Sequence, residues 1–264
     1  MFEEELTFTH ALADEAAEIG LGYFRREGLQ IARKADRTLV TAADTAIEVA
    51  LRERIETAFP GDGIIGEEGG GDHDPAGRVW VVDPVDSTAN FARGIQIWAT
   101  LIALRIDDEG VLGVVSAPAL GERYAASRDA GATLNGEPIH VSEVGEIAEA
   151  HVLFQELNTL FGGPYRDAAL KLNADCWRPR GFGDFWAHTL VARGSAEVML
   201  EPRLAIWDLA APQVVIEEAG GRCTTFEGGP LGHLRSMVAT NGLLHDEVLA
   251  RLATASVEEA GPPR

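Results

Sequence analysis

Apolar residues near the start of the chain recur at a helical period. Leu12, Ala16, Ile19 and Tyr23 fall on one face, which predicts an amphipathic helix over about residues 6–26. A second helix is predicted from about Thr41 to Phe59, with Ile47, Leu51 and Ile55 on one face. Thr41 and Asp44 stand at capping-box spacing, and Pro60-Gly61 stops the helix. Short strands are predicted around Ile64 and at 79–82, 98–106, 111–116 and 123–127, and Asn135-Gly136 signals a tight turn. This first half reads as two helices on a mostly antiparallel sheet. From about residue 150 the pattern alternates. Strand-like runs at 151–155, 196–200, 222–225 and 237–240 are separated by helical ones at 165–172, 184–193, 208–219 and 243–252. Such alternation predicts a layered α/β half. With no repeat and no long linker, residues 1–264 are expected to form a single domain with sub-halves of about 1–145 and 146–264, and the tail from residue 258 to fray.

A formal charge of −20 argues against nucleic acid and anionic membranes as partners, because the phosphate-driven term would be repulsive. Lysine occurs only at Lys34 and Lys171. Cys176 and Cys223 fit no CxxC spacing and read as free buried thiols in a reducing cytosol. The acidic start does not match a signal peptide, and no apolar run approaches the ~20 residues of a membrane helix. A cytoplasmic protein is expected.

The candidate chemistry lies at Asp83-Pro84-Val85-Asp86-Ser87-Thr88, directly behind the apolar run Val79-Trp80-Val81-Val82. A strand ending in two acids aims both at one point, and Pro84 stiffens the turn without offering an N–H. Close carboxylates repel unless a proton or cation joins them, and hard divalent ions such as Mg²⁺ need such oxygens. Glu67 and Glu68 close another short strand, and Asp208 follows Trp207 at a predicted helix start with Pro212 in or near its first turn. Each has a structural alternative. Glu67 and Glu68 suit a solvated turn, Asp208 an N-cap, Asp44 the third position of a capping box, and Thr88 the start of a short segment. The literal G-x-G-x-x-G at Gly61–Gly66 follows a helix and leads into a strand, the wrong context for a dinucleotide site. Gly69-Gly70-Gly71-Asp72 reads as a flexible surface loop. There is no HExxH group and no G-x-S-x-G elbow.

Glu67-Glu68, Asp83 to Phe91, and Trp207-Asp208 followed by Glu217-Glu218-Ala219-Gly220-Gly221 together resemble the inositol monophosphatase-like superfamily over about residues 6–252. The resemblance implies an α/β (α+β) layered αβαβα sandwich, a homodimer, and a phosphomonoesterase using two to three Mg²⁺ per active site on a small phosphate ester. It implies that Glu67, Asp83 and the carbonyl of Val85 hold one ion, that Asp83, Asp86 and Asp208 hold a second, and that Glu67 helps place a third. Thr88 paired with Asp44 would orient and polarise the attacking water, with Glu67 as a further catalytic residue. Backbone N–H groups of Ser87 and Thr88 would hold phosphate. Lys34 matches a lysine near the outer metal. Two departures stand out: Ser87 where the family has glycine, and Ala89 where it often has lysine.

For the substrate, the resemblance implies contacts from Asp86 and Asp208, and from Glu201 and Asp184 in the second half. Gly183-Asp184-Phe185 stands where inositol phosphatases carry a small or hydroxyl residue, and an acid suits an ammonium. In this, and in the runs 97–104, 115–120 and 240–249, the chain is similar to the histidinol-phosphate phosphatases of the superfamily, which serve histidine biosynthesis. The alternatives are an inositol-1-phosphate or broad phosphomonoester phosphatase, a sugar-bisphosphate phosphatase using Arg178, Arg180 and Arg203, and a catalytically silent metal-binding homologue. Asp184 also suits a helix N-cap, and Glu201, before Pro202, a strand end.

Overall fold

The computed structural model describes residues 2–34, 38–71, 77–155, 157–232 and 234–258. Asp72 of the glycine loop, and the tail from residue 259, lie outside them. The chain divides into two compact units, Met1–Pro138 with Trp207–Val215, and Ile139–Ile206 with Ile216–Arg264.

The first unit begins with α1 (Glu3–Tyr23), which buries Thr9, Leu12, Ala13, Ala16 and Gly20. It starts three residues before the predicted boundary, where Glu3, Glu4 and Glu5 suit the positive end of the helix dipole. A two-stranded ribbon, β1 (Ile31–Arg33) and β2 (Leu39–Thr41), leads into α2 (Ala42–Ala58). The sequence does not foretell this ribbon, because strands of three residues carry no alternation to detect. Seven strands then form one sheet: β3 (Gly63–Gly66), β4 (Arg78–Asp86), β5 (Ala99–Ile106), β6 (Glu109–Ala117), β7 (Glu122–Ser127), β8 (Gly131–Leu134) and β9 (Glu137–Ile139). From β4 to β8 all pairs are antiparallel, while β3 runs parallel to β4. Asn135 and Gly136 turn the β8–β9 hairpin with φ of 53° and 86°, the left-handed pair that a two-residue hairpin requires.

Helices α1 and α2 bury Leu12, Ile47, Leu51 and Ile55 against Trp80, Val82, Ile102 and Leu104 of the sheet. Phe8 and Phe59 pack on Trp80, and Phe24 and Phe91 on Trp98. Large rings of this kind each stabilise the core by about 1.5–3 kcal/mol. On β6, Leu112 and Val114 belong to this core, so Gly113 faces the other side of the sheet. A Cβ there would meet the Ala211 carbonyl oxygen at 2.5 Å, which brings the 207–215 segment directly onto the strand.

In the second unit β10 (His151–Phe154) lies parallel to β11 (Arg178–Arg180) and β12 (Val198–Ala205). Strand β14 (Leu234–Thr240) runs antiparallel to β12 and to β13 (Arg222–Thr224). The helices of this unit are α4 (Leu157–Phe161), α5 (Arg166–Asp175), α6 (Asp184–Ala192) and α8 (His245–Glu258), while the first unit also holds the short α3 (Thr88–Ala92) and, through Trp207–Val215, most of α7 (Ile206–Glu218). Val152, Leu172, Val198, Leu200, Val238, Val248 and Leu252 form the core. His245, fully buried at the start of α8, bonds Thr224 and Thr240 through its two ring nitrogens, each at 2.9 Å.

Helix α7 starts earlier than expected, and α6 starts where expected but with a different cap. Helix α7 begins at Ile206, so Asp208 is its third residue, not its cap, and Pro212 lies inside it. Helix α6 is capped by Gly183, and Asp184 is its first residue, with a left-handed φ of 55°.

Candidate active site

Strand β4 continues through Pro84 to Asp86 instead of stopping at Val82. Its register against β5 breaks between Asp83 and Asp86, and that bulge places both acids on the same side. One Asp83 oxygen accepts the Val85 N–H at 3.0 Å. Ser87 then turns the chain in the left-handed conformation, φ 69° and ψ 44°, into α3. The family's glycine at this point is thereby explained: the turn demands a conformation that costs any other residue.

Three carboxylates meet here. Oxygens of Asp83, Asp86 and Asp208 all lie within 4.8 Å of one another, and this is the one such group among the described residues. Asp83 is essentially fully buried and its pKa is pushed well above the carboxylate range, first by burial, then by the charges of Glu67, Asp86, Asp208 and Asp44. An acid in this state lacks compensating positive charge. Glu67 and Glu68 are both raised by burial, and Lys34 opposes this with its Nζ at 2.7 and 2.6 Å from them. Burial would lower Lys34, but its bonds to the two acids raise it, so the ammonium stays charged. Glu67 and Asp83 are close enough for each charge to act on the other.

The two readings of Asp44 coexist. It completes the capping box with Thr41, and its other oxygen accepts the Thr88 hydroxyl at 3.0 Å. The same hydroxyl lies 3.0 Å from the Val85 carbonyl oxygen, so it has two alternative acceptors. Asp44 is fully buried and its pKa is raised by that burial, against the opposing bonds from Thr41 and Thr88. Asp44, Glu67, Asp83, Val85, Asp86, Ser87, Thr88 and Asp208 thus converge within the first unit, from α2, the end of β3, the β4–α3 turn and α7.

Asp184 and Glu201 belong to the second unit. Asp184 accepts from Gln155 Nε2 at 2.7 Å. His188, one turn along the same face of α6, meets the buried Glu201 at 2.9 Å. Glu201 is therefore an interior acid with a histidine partner, not a surface strand end. Sequence reasoning missed Gln155 and His188, as it missed Glu48 and Arg52 of α2, which hold the turn after Glu67. For Glu48 a signal existed: an acid four residues after Asp44, beside the apolar stripe of a core helix.

The family model of the inositol monophosphatase family matches residues 1–259. The chain is 44% identical to the histidinol-phosphatase of Mycobacterium tuberculosis over 96% of its own length and 99% of that protein's. It is 40% identical to the histidinol-phosphatase of Streptomyces coelicolor, over 94% and 97%. Among solved structures it superimposes on the Thermotoga maritima IMPase with a TM-score of 0.84 and 28% identity, covering 98% of this chain and all of that one. The chain belongs to the inositol monophosphatase family. It is accordingly a phosphoric monoester hydrolase of a metal-dependent type, with an α/β fold. Among the described residues no helix is long and apolar enough to cross a membrane.

Proposed function

We propose that this protein is a Mg²⁺-dependent phosphatase that hydrolyses histidinol phosphate to histidinol and phosphate. The observation that carries the metal-dependent part is the buried Asp83 with four further carboxylates acting on it. An all-oxygen donor set with excess negative charge fits a hard divalent cation. Asp83, Asp86 and Asp208 would hold one ion, Glu67, Asp83 and the Val85 carbonyl another, and Glu67 a weaker third. Bound there, Mg²⁺ supplies charge neutralisation for the phosphoryl and leaving oxygens and a lowered pKa for water.

The chain's own residues do the rest. Thr88 Oγ1, bonded to Asp44, would accept a proton from water as it passes its own to Asp44 Oδ1. Burial makes Asp44 a readier proton acceptor than an ordinary carboxylate. The N–H groups of Ser87 and Thr88, at the left-handed turn into α3, would hold phosphate oxygens. Asp184 and Glu201 would meet the cationic end of the substrate by charge-assisted bonds.

The histidinol reading is supported by the names of the relatives at 44% and 40% identity and by these two acids. It is tested by kcat/KM on L-histidinol phosphate and on inositol 1-phosphate. A preference of at least tenfold for the first is expected; equal or reversed values overturn the substrate assignment. The homodimer belongs to the same reading and is checked by light scattering on the purified protein.

A further inference from the structure

Glu67 sits in a turn that α2 also grips from outside. Gly66, Glu67, Glu68, Gly69 and Gly70 leave β3, with the Gly66 N–H bonded to the Gly70 carbonyl at 3.0 Å. The turn lies on α2, where Glu48 is buried at 3% exposure. Its Oε2 accepts the Glu68 N–H and its Oε1 the Gly69 N–H, each at 2.8 Å. Arg52, one turn further along α2, donates Nε to Glu48 at 2.7 Å and a terminal nitrogen to the Gly70 carbonyl. A Cβ at Gly66 would lie 2.3 Å from Glu48 Oε1, and one at Gly69 2.7 Å from the same atom. Both glycines are thus needed to let the backbone descend onto the carboxylate.

We propose that Glu48, braced by Arg52, is a positioning residue for metal binding: it fixes the Glu67 turn so that the Glu67 carboxylate is presented to the Asp83 cluster. This rests on the metal-site reading above and deepens it. The two successive N–H groups that follow Glu67 end on one carboxylate, and Glu67 lies near enough to Asp83 for each charge to act on the other. An unbraced Glu67 would spend its encounters in other rotamers and backbone states, and in swinging away it would remain bonded to Lys34. Glu48 touches neither substrate nor ion. Its effect passes through the orientation of a ligand, and loss of such outer partners lowers metal affinity by roughly 10–100-fold.

The test is Mn²⁺ binding to the intact, metal-free protein by electron paramagnetic resonance, with a thermal melt of the same sample. Wild type must bind first; if it does not, the metal-site reading itself fails. Glu48→Gln keeps the shape but replaces one accepting oxygen by an amide NH₂ that faces an N–H. It is expected to raise the Mn²⁺ Kd at least tenfold. Ile55→Val, a change in the core face of the same helix, is expected to lower the melting temperature while leaving that Kd within threefold. A Kd within threefold of wild type for Glu48→Gln overturns the proposal and leaves Glu48 a structural brace only. So does an equal weakening by Ile55→Val, which would mean that general loosening is the cause. If Glu48→Gln does not fold, Arg52→Lys, which keeps the charge but loses the fork, is held to the same tenfold criterion.

Discussion

Ser87 occupies a left-handed turn that a glycine would adopt without penalty. A non-glycine residue there costs about 1 kcal/mol, so Ser87→Gly is expected to raise the melting temperature by a few degrees in a calorimetric scan. Thr88 is the opposite case, a residue whose removal should spare the fold and harm the reaction. Thr88→Ala leaves Asp44 in its capping box but takes away the hydroxyl between it and water. A fall in kcat of about 10²-fold or more, with KM little changed, is expected in steady-state kinetics. Asp184→Asn should lower kcat/KM for histidinol phosphate by tenfold or more and barely affect an ester without a cationic group, such as p-nitrophenyl phosphate. An equal loss on both would assign Asp184 to the α6 start alone.

At the scale of elements, the helix that brings Asp208 depends on a bare patch of sheet. Gly113→Ala would push a methyl group to within 2.5 Å of the Ala211 oxygen. Because α7 must then shift, the variant is expected to lose about 1–3 kcal/mol in denaturant unfolding and to bind Mg²⁺ more weakly. His245 sets a pH response at the start of α8. Burial, then the nearby Arg222 charge, lower its pKa from 6.5 to about 4, so the folded state holds the neutral ring. Above pH 6.5 it is neutral in both states and costs nothing. Between pH 6.5 and 4 only the unfolded chain takes up the proton, and stability falls. The loss attributable to this group is about 2 kcal/mol at pH 5, measured as the difference between the pH–stability curves of wild type and His245→Gln.

The same scale explains how much could be read from the sequence. Helices α1, α2 and α8 and strands β5 to β7 declare themselves through long apolar periods such as Leu12-Ala16 and Ile47-Leu51-Ile55. The acids of the cluster were legible because each sits at the end of an apolar run. Boundaries failed where a backbone pairing outlasts its side-chain pattern. Strand β4 keeps its partner through Pro84 to Asp86, and α7 starts before the acid that looked like its cap. The strands of the ribbon β1–β2, three residues each, are too short to show a period. The pairing of His188 with Glu201 leaves no local mark in the sequence, and Glu48 shows only as an acid beside the apolar stripe of α2, with nothing to name the turn it holds.

Across the molecule as a whole, negative charge dominates. With −20 spread over 264 residues, the folded chain repels itself, and part of that repulsion is concentrated at the cluster. Millimolar Mg²⁺ should therefore raise the melting temperature more than NaCl of equal ionic strength, and a chelator should reverse the gain and abolish turnover. Equal effects of the two salts would mean that screening, not site occupancy, is responsible.

The Trp207–Val215 segment returns from the far part of the sequence to complete the first unit. No single cut of the gene can then yield a fragment that holds all three clustered acids without most of the intervening chain. A piece ending near residue 138 would carry Asp83 and Asp86 but would leave Gly113 facing water in place of Ala211. Split-protein reporters, domain grafts and truncation mapping should accordingly succeed with this chain only when residues 207–215 travel with the amino-terminal piece.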